Sequence, residues 1–197
     1  MSYKLIGNLT SPYVRKIRLA CHGRVTLDFD AVNYFLPEGE AYLRSISPIN
    51  KLPILLDGDQ KIFESRVIYN YLSQKHGWEA LSLDDENTIS VIDAGMETCV
   101  NMFLFRKGGM DLESDNWYLK RQKARLPNIL EFLRPVMKRL DPQKPDDWAF
   151  PSMCLYSFLY WAQLREMIDL DAFPEAIAFL EAFKDKPGVA ETTIPLV

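Results

Sequence analysis

Two hydrophobic periods divide this sequence into two parts. In residues 1–77, short apolar runs with the alternation of strands take turns with segments whose apolar residues recur every three or four positions, as in helices. A polar and acidic stretch follows at 78–86, and beyond it only the helical period continues. The pattern predicts a mixed α/β domain over 1–77, a linker over 78–86 and an all-α domain over 87–197.

The first domain is predicted to begin with a β-α-β unit. Lys4 to Ile6 is a short apolar run closed by turn residues, and residues 27–31 alternate between apolar and polar, so both are predicted strands. Between them, Ser11 precedes a proline, which is the usual order of an N-cap and a first helical position. The helix that follows carries three cations outside its apolar stripe: Arg15, Lys16 and Arg18.

The rest of this domain is predicted to be a hairpin and a helix. Residues 53–56 and 61–63 are apolar runs joined by the turn residues 57–59, and Ser65 opens a helical pattern that ends near Gly77. The stretch between the β-α-β unit and the hairpin has no regular period, so no element is predicted there. Because a β-α-β crossover is right-handed and a hairpin is antiparallel, the order βαβ-ββα predicts a thioredoxin-like domain.

The second domain is predicted to be a helical bundle. Helical spacing covers four segments, at about 88–107, 114–140, 152–168 and 174–184. Pro127 and Pro135 are expected to kink or split the second helix, because proline removes a backbone donor from its interior. Ser152 is expected to cap the third helix.

Composition and charge narrow the function classes. Hydrophobic residues make up 48% and charged residues 25%, which is ordinary for a folded globular protein. The net charge of −4 argues against a nucleic-acid partner, and the small excess of cations in 1–77 suits a small anionic ligand. The most apolar stretch, 155–162, is far shorter than the roughly 20 residues that a bilayer requires, and the N-terminus lacks the apolar run of a signal peptide. We therefore expect a cytoplasmic protein with no membrane partner.

Cysteines and histidines are too few and too scattered to predict a metal site. The three cysteines, Cys21, Cys99 and Cys154, form no C-x-x-C pair, and the chain has only two histidines, His22 and His76. All three cysteines lie in apolar segments, so they are interpreted as core thiols. No metal cofactor is predicted.

Several segments resemble the cytosolic glutathione S-transferases. Residues 11–18 resemble the start of the first helix in the bacterial, zeta- and theta-like members, residues 48–53 resemble a loop whose final proline is cis, and residues 63–72 resemble the turn and helix that bind glutathione. Residues 117–133 and 179–190 are also similar to the family's second domain. The resemblance implies a thioredoxin-like domain followed by a helical bundle, glutathione as co-substrate without a metal, and a role in detoxification as a cytoplasmic homodimer.

The resemblance identifies Ser11 with the catalytic serine of the family. Its hydroxyl would donate a hydrogen bond to the glutathione sulfur and favour the thiolate, and the helix N-terminus also favours an anion. The alternative is that Ser11 is only an N-cap. Gly7 stands where tyrosine-type members carry their tyrosine, and no cysteine stands at position 10, 11 or 13, so a serine-type site is expected.

Four further residues are expected to bind glutathione. Glu64 would pair with the γ-glutamyl ammonium, and the Ser65 hydroxyl with nearby helix-start N–H groups would bind its carboxylate; otherwise the two residues are a turn carboxylate and a helix cap. A cis bond before Pro53 would turn the backbone N–H and C=O of Leu52 outward to pair with the cysteinyl unit. Lys51 is either a solvated surface residue or the partner of the glycyl carboxylate.

The second substrate is expected to lie against the first long helix of the second domain, where that helix faces Ser11. Its candidate wall residues, which are core residues in the alternative interpretation, are Met96, Met102, Phe103 and Arg106. The expected function is conjugation of glutathione to a small apolar electrophile. The alternatives are a glutathione-dependent isomerase, dehalogenase or peroxidase, or a binding or scaffold protein without turnover.

Overall fold

The structure is a computed structural model that describes residues 2–195. Its strands and helices, in chain order, are β1 (Tyr3–Gly7), α1 (Pro12–Cys21), β2 (Leu27–Ala31), α2 (Pro37–Ile46), β3 (Ile54–Asp57), β4 (Gln60–Phe63), α3 (Ser65–His76), α4 (Leu83–Lys107), α5 (Trp117–Arg139), α6 (Phe150–Leu164) and α7 (Pro174–Phe183). Two short 3-10 helices occupy Pro145–Asp147 and Leu170–Ala172. The described chain forms two compact units: an N-terminal unit of residues 2–80 with 187–195, and a helical unit of residues 81–186.

The N-terminal unit is built on one mixed four-stranded sheet, in the order β2-β1-β3-β4. β1 pairs in parallel with β2, and β3 pairs antiparallel with both β1 and β4. The two central strands carry fully buried residues, among them Leu5, Ile6, Ile54 and Leu55, because both faces of a central strand can be covered. The predicted thioredoxin-like domain with a helical second part is confirmed.

The segment without a predicted element contains α2. Its ends carry helix signals, with Pro37 in the first turn, Glu40 near the N-terminus and Arg44 near the C-terminus. Its interior gives little periodic signal, because only Gly39 and Leu43 of its ten residues are buried. A helix that buries so few apolar residues is missed when the hydrophobic period is the criterion.

The linker between the two units is shorter than the acidic composition predicts. Ser82 and Asp85 form a capping box, in which the Ser82 hydroxyl accepts the Asp85 N–H at 3.1 Å and the Asp85 carboxylate accepts the Ser82 N–H at 3.0 Å. α4 therefore begins at Leu83. The predicted linker over 78–86 is wrong at its C-terminal end, where the acidic residues form the first helical turn.

α5 is a single helix from Trp117 to Arg139 although it contains Pro127 and Pro135. Both prolines are exposed, so water can satisfy the carbonyl groups that each proline leaves without a helical donor. The expected split of this helix does not occur.

α6 begins before Ser152 and is not capped by it. Its N-cap is Ala149, and Ser152 lies inside the first turn, where its hydroxyl donates to the Ala149 carbonyl at 2.8 Å. The predicted Ser152 cap is therefore wrong. Most residues of α6 are buried, as expected for the most apolar stretch of the chain.

α4 is long and apolar enough to cross a membrane, judged by length and composition alone. The core helix of a helical bundle meets the same criterion. α4 packs against both α5 and α6, and Ile89, Ile92, Met96 and Cys99 on its inward side are fully buried. Packing within the helical unit therefore accounts for its apolar character.

The residues after α7 group with the N-terminal unit, which corrects the predicted domain of 87–197. The physical reason lies in two cations of α1 that need acceptors. Arg15 Nη2 donates to the Val189 carbonyl at 3.3 Å, and Arg18 Nη2 donates to the Glu191 carbonyl at 2.8 Å.

The three cysteines are buried and form no disulfide within the described chain, so their interpretation as core thiols is confirmed. Burial raises the pKa of Cys21 and that of Cys99 to about 12, so both thiols stay protonated and unreactive near neutral pH. Among residues 2–195, no group of three or more His, Cys, Asp or Glu side chains is arranged to hold a metal.

A charge cluster ties the β3–β4 hairpin to α3. The Asp57 carboxylate pairs with the Lys75 ammonium and accepts a hydrogen bond from the Tyr71 hydroxyl at 2.5 Å. The Lys75 ammonium, and after it the Tyr71 hydroxyl, hold the pKa of Asp57 below its ordinary value. The stability that this carboxylate contributes is therefore present above its unfolded pKa of about 3.9 and is lost as the pH falls through the lower folded pKa.

We expect Asp57→Asn to lower the melting temperature at neutral pH, and to have a smaller effect toward about pH 2, where the native carboxyl is also protonated. Thermal unfolding followed by circular dichroism at several pH values measures this difference. Asp59→Asn in the same turn is the control, because Asp59 is exposed and pairs with no other described residue. Equal effects of the two substitutions at neutral pH would contradict the role of Asp57.

Candidate active site

Ser11 lies at the start of α1 as its N-cap, as predicted. Its backbone is extended (φ −84°, ψ 126°), its hydroxyl accepts the Val14 N–H at 3.3 Å, and its carbonyl accepts the Arg15 N–H at 3.0 Å. The residue is half-buried. Because the bond from Val14 uses a lone pair of the oxygen, the hydroxyl proton of Ser11 is still available to donate to a ligand.

Gly7 allows α1 to approach the end of β1. A Cβ atom at this position would lie 2.6 Å and 2.9 Å from the two methyl carbons of Val14, closer than real Cβ atoms come. Any side chain here would push α1, and Ser11 with it, away from the sheet. The absence of a tyrosine at this position therefore has a packing reason of its own.

The turn between β1 and α1 is ordered by Asn8, a residue that the sequence analysis missed. Asn8 Oδ1 accepts hydrogen bonds from the Thr10 N–H at 2.8 Å and from the Thr10 hydroxyl at 2.6 Å, and the Asn8 carbonyl accepts the Ser11 N–H at 3.0 Å. Asn8 is buried. An asparagine directly after a strand, two residues before a threonine, is a signal for this turn that could have been used.

The loop before β3 contains the predicted cis peptide bond between Leu52 and Pro53. Asn50 has a φ of 52°, a left-handed conformation that asparagine tolerates better than most residues. The Leu52 side chain packs on the apolar core of the N-terminal unit, whereas its backbone N–H and C=O have no hydrogen-bond partner among the described residues. Lys51 is exposed.

Glu64 is the N-cap of α3, and Ser65 is the first residue of the helix rather than its cap. Glu64 has φ 67° and ψ 130°, a conformation that costs a residue other than glycine on the order of 1–3 kcal/mol. Neither side chain hydrogen-bonds to another described residue, and no side chain caps the first N–H groups of α3. The Glu64 carboxylate can pair with the ammonium group of an amino-acid zwitterion, and the uncapped N–H groups at the start of α3 can bind its carboxylate.

The strand register brings these segments to one edge of the sheet. Ile6 of β1 lies opposite Ile54 of β3, which lies opposite Phe63 of β4. Directly beyond this row, β1 leads into the turn before α1, β4 leads into Glu64, and β3 is entered from the cis-proline loop. Neighbouring strands are about 4.8 Å apart, so the three segments span about 10 Å, which is close to the length of an extended tripeptide.

Two helix N-termini point to this edge. α1 follows β1 and α3 follows β4, and neither has an acidic residue in its first turn, in contrast to α2 and α4. The positive end of the α1 dipole is therefore available to a bound anion, whereas at α3 the carboxylate of the N-cap Glu64 lies beside the positive end of the dipole.

The candidate wall residues for a second substrate have two different environments in α4. Met102 and Arg106 line a cavity of about 660 Å³ within the helical unit. Met96 is fully buried, and Phe103 packs edge-on against Trp161 with ring centroids 5.4 Å apart. Met96 and Phe103 thus fit the alternative interpretation as packing residues better than Met102 and Arg106 do.

This cavity is mostly apolar and has a volume typical of small-molecule sites. Its apolar lining includes Met110, Leu126, Leu130, Met167 and Phe173. Two of its charged residues are already engaged, since Arg106 Nη2 donates to the Arg165 carbonyl at 2.8 Å and Lys123 pairs with Glu113 at 2.5 Å. Methionine side chains adapt to ligands of different shape, so the cavity can accept more than one apolar molecule.

Parts of the chain and its fold are similar to known proteins. Residues 1–74 match the family model of the glutathione S-transferase N-terminal domain. The whole chain superposes with a TM-score of 0.84 on the crystal structure of a glutathione S-transferase from Methylobacterium radiotolerans in complex with glutathione sulfonate, at 19% identity and covering 100% of this chain and 96% of that one. The chain has the glutathione S-transferase fold.

Curated glutathione S-transferases of Arabidopsis thaliana match parts of the chain. One is 25% identical over 158 residues, which is 72% of this chain and 63% of the relative. Another is 46% identical over 54 residues, which is 25% of each chain. The chain therefore spans between 25% and 63% of the length of these two relatives. The chain is thus similar to glutathione S-transferases over its N-terminal domain and, at lower identity, over much of its length.

In this glutathione S-transferase fold, we expect Gly7→Ala to reduce the free energy of unfolding by about 1–3 kcal/mol, because the added methyl overpacks the contact between β1 and α1. Urea unfolding measures the change. Gly108→Ala is the control, because the nearest atom to a Cβ there is 3.4 Å away and the glycine has an ordinary φ of −77°. An unfolding free energy that is the same in Gly7→Ala and wild type would show that α1 does not depend on this close approach.

Proposed function

We propose that this protein is a serine-type glutathione transferase, similar to the bacterial, zeta- and theta-like members, that joins the glutathione thiolate to a small apolar electrophile. The observation that carries the proposal is the single sheet edge from which Ser11, the Leu52 backbone and Glu64 emerge. Three adjacent strands thus present a thiolate stabiliser, a free backbone pair and an amino-acid receptor. These groups match the thiol, the cysteinyl backbone and the γ-glutamyl end of one tripeptide.

Ser11 stabilises the thiolate in this proposal. Its hydroxyl proton donates to the sulfur while its oxygen keeps the bond from Val14, and the dipole of α1 adds to the effect. Each unit by which the pKa of a thiol falls corresponds to about 1.4 kcal/mol, and the thiolate is the nucleophile. The sulfur lone pair forms a carbon–sulfur bond with the electrophile, and the displaced electron pair leaves with a leaving group or takes a proton from water.

Glutathione is bound by groups that have no other partner among the described residues. The Glu64 carboxylate pairs with the γ-glutamyl ammonium, and the Ser65 hydroxyl and the first N–H groups of α3 bind the γ-glutamyl carboxylate. The Leu52 N–H and C=O pair with the cysteinyl backbone as in a strand ladder. Lys51, exposed on the same loop, neutralises the glycyl carboxylate.

The electrophile is proposed to be apolar, and its wall to include Met102 and Arg106. Support comes from the apolar cavity that these two residues line in the helical unit. From the resemblance we also propose a cytoplasmic homodimer that acts in detoxification. A panel of electrophiles assayed with glutathione separates conjugation from isomerase, dehalogenase and peroxidase chemistry, which begin from the same thiolate.

We expect Ser11→Ala to raise the pKa of the bound glutathione thiol by about one to two, because one hydrogen bond to a charged acceptor, about 1.5–3 kcal/mol, is lost. Turnover at neutral pH falls by roughly 10- to 100-fold and recovers partly as the pH rises, since hydroxide then supplies the thiolate. Glutathione affinity is retained, because the α3 receptor and the Leu52 backbone are unchanged. Ultraviolet absorbance of the thiolate against pH, measured in the folded protein, follows the pKa directly.

Ser82→Ala is the matched control for this experiment. It removes the capping serine of α4 and costs a comparable amount of stability, about 1 kcal/mol, without touching the proposed site. If both variants leave the bound thiol with the wild-type pKa, Ser11 is only a helix cap.

We expect Glu64→Ala combined with Ser65→Ala to weaken glutathione binding by roughly 100-fold, because two charge-assisted interactions with the γ-glutamyl group are lost. Isothermal titration calorimetry measures the affinity. Glu113→Ala with Ser114→Ala removes the same pair of side chains in the helical unit and should leave the affinity unchanged. Equal affinity of the Glu64–Ser65 double variant and wild type would place the γ-glutamyl receptor elsewhere.

A further inference from the structure

α1 is buried on nearly all sides, including positions that carry charge. Arg15 and Lys16 are 2% and 0% exposed, although both fall outside the apolar stripe of the helix. A buried guanidinium is costly unless its N–H groups meet acceptors. Two N–H groups of the Arg15 guanidinium find acceptors outside the sheet.

The acceptors come from a segment near the end of the described chain. Arg15 Nε donates to Thr192 Oγ1 and Arg15 Nη2 donates to the Val189 carbonyl, both at 3.3 Å. Thr192 Oγ1 in turn donates to the Gly188 carbonyl at 2.7 Å, so this hydroxyl is both acceptor and donor in one chain of hydrogen bonds. Residues 188–192 are called the C-terminal clasp below.

The C-terminal clasp follows one face of α1. Its contacts fall on four residues spaced as neighbours on a helix surface: Arg15, Arg18, Leu19 and His22. Arg18 Nη2 donates to the Glu191 carbonyl at 2.8 Å. Gly188 has a φ of 86°, and a Cβ there would lie 3.0 Å from the His22 side chain, so this close approach requires glycine.

Arg15 connects the C-terminal clasp to Ser11. Its side chain binds the clasp, while its backbone N–H donates to the Ser11 carbonyl at 3.0 Å. We propose that the C-terminal clasp sets the position of the Ser11 hydroxyl at the glutathione sulfur, with Arg15 as the positioning residue through which it acts. This inference rests on the proposed function of Ser11 and extends that function to Thr192, which lies 177 positions after Arg15.

The C-terminal clasp affects the pKa of the bound glutathione thiol and does not affect the affinity for glutathione. α1 contacts α3, but Leu52, Glu64 and Ser65 lie directly beside the paired strands β3 and β4, so we expect those binding groups to stay in place when α1 is loosened. A displaced Ser11 hydroxyl makes a longer or more bent hydrogen bond to the sulfur, and such bonds weaken steeply with geometry. The signature of a loosened clasp is therefore a higher pKa of the bound thiol at unchanged glutathione affinity.

Thr192→Val tests this role, because valine keeps the shape of threonine and removes the hydroxyl that links Arg15 to Gly188. We expect a kcat about three- to tenfold lower at neutral pH, a pH–rate profile displaced to higher pH, and an unchanged Kd for glutathione. In the protein without glutathione, amide hydrogen exchange at Arg15 is expected to be faster by a similar factor, since this amide makes the bond to Ser11.

Two further variants control for lost stability. Thr193→Val makes the same substitution next to Thr192. The Thr193 hydroxyl donates to the Ala190 carbonyl at 2.9 Å and to the Val189 carbonyl at 3.3 Å but makes no described bond to α1, so wild-type behaviour is expected. Thr192→Ser keeps the hydroxyl and is expected to restore both the pH profile and the exchange rate.

The outcomes distinguish this inference from the proposed function. If wild type lowers the thiol pKa of bound glutathione and Thr192→Val keeps the same pH profile and the same exchange at Arg15, the clasp is only a structural contact and the inference is wrong. If wild type binds glutathione without lowering its thiol pKa, the proposed role of Ser11 fails and takes the inference with it. A changed pH profile and exchange in Thr192→Val, but not in Thr193→Val, supports both.

Discussion

One row of paired residues governs this structure. Ile6, Ile54 and Phe63 lie side by side across β1, β3 and β4. The segments that carry the candidate glutathione-binding residues adjoin the strands directly beyond that row. A slip of one residue in either pairing would turn each strand's buried face outward and would move the exits of two helices relative to one another. The apolar side chains that make the register unique therefore also determine the spacing of the polar groups that contact the ligand.

Local sequence signals were sufficient where the neighbouring residues decide the conformation. The serine–proline pair before α1, the glycine after α3 and the short hairpin turn each act within a few residues, and each predicted feature is present. The cis bond before Pro53 was predicted from resemblance and is also present. The hydrophobic pattern did not predict features that depend on few apolar residues or on contacts between distant parts of the sequence. α2 buries too few apolar residues to show a period, and no local signal connects Arg15 to Thr192. The predicted Ser152 cap failed for a local reason, because α6 already begins at Phe150.

The candidate site combines features that cost stability when they are considered alone. Glu64 adopts a backbone conformation suited to glycine, the first turn of α3 lacks a side-chain cap, and the Leu52 backbone lacks a described partner. The buried core beneath these residues, with Ile6 and Ile54 fully inaccessible, holds them in place. A ligand that forms hydrogen bonds or ion pairs with all three groups would offset part of that cost on binding. The residues that lower the stability of the empty protein therefore favour its ligand-bound state.

The C-terminal clasp also decides when the N-terminal unit is complete. Arg15 is synthesised early, but Thr192 follows it by 177 residues. At a synthesis rate of about 5–20 residues per second, the two are separated by roughly ten to thirty-five seconds on the ribosome. Throughout that interval Arg15 lacks the acceptors that Val189 and Thr192 provide. The N-terminal unit therefore gains its last contacts only after the whole helical unit has been synthesised.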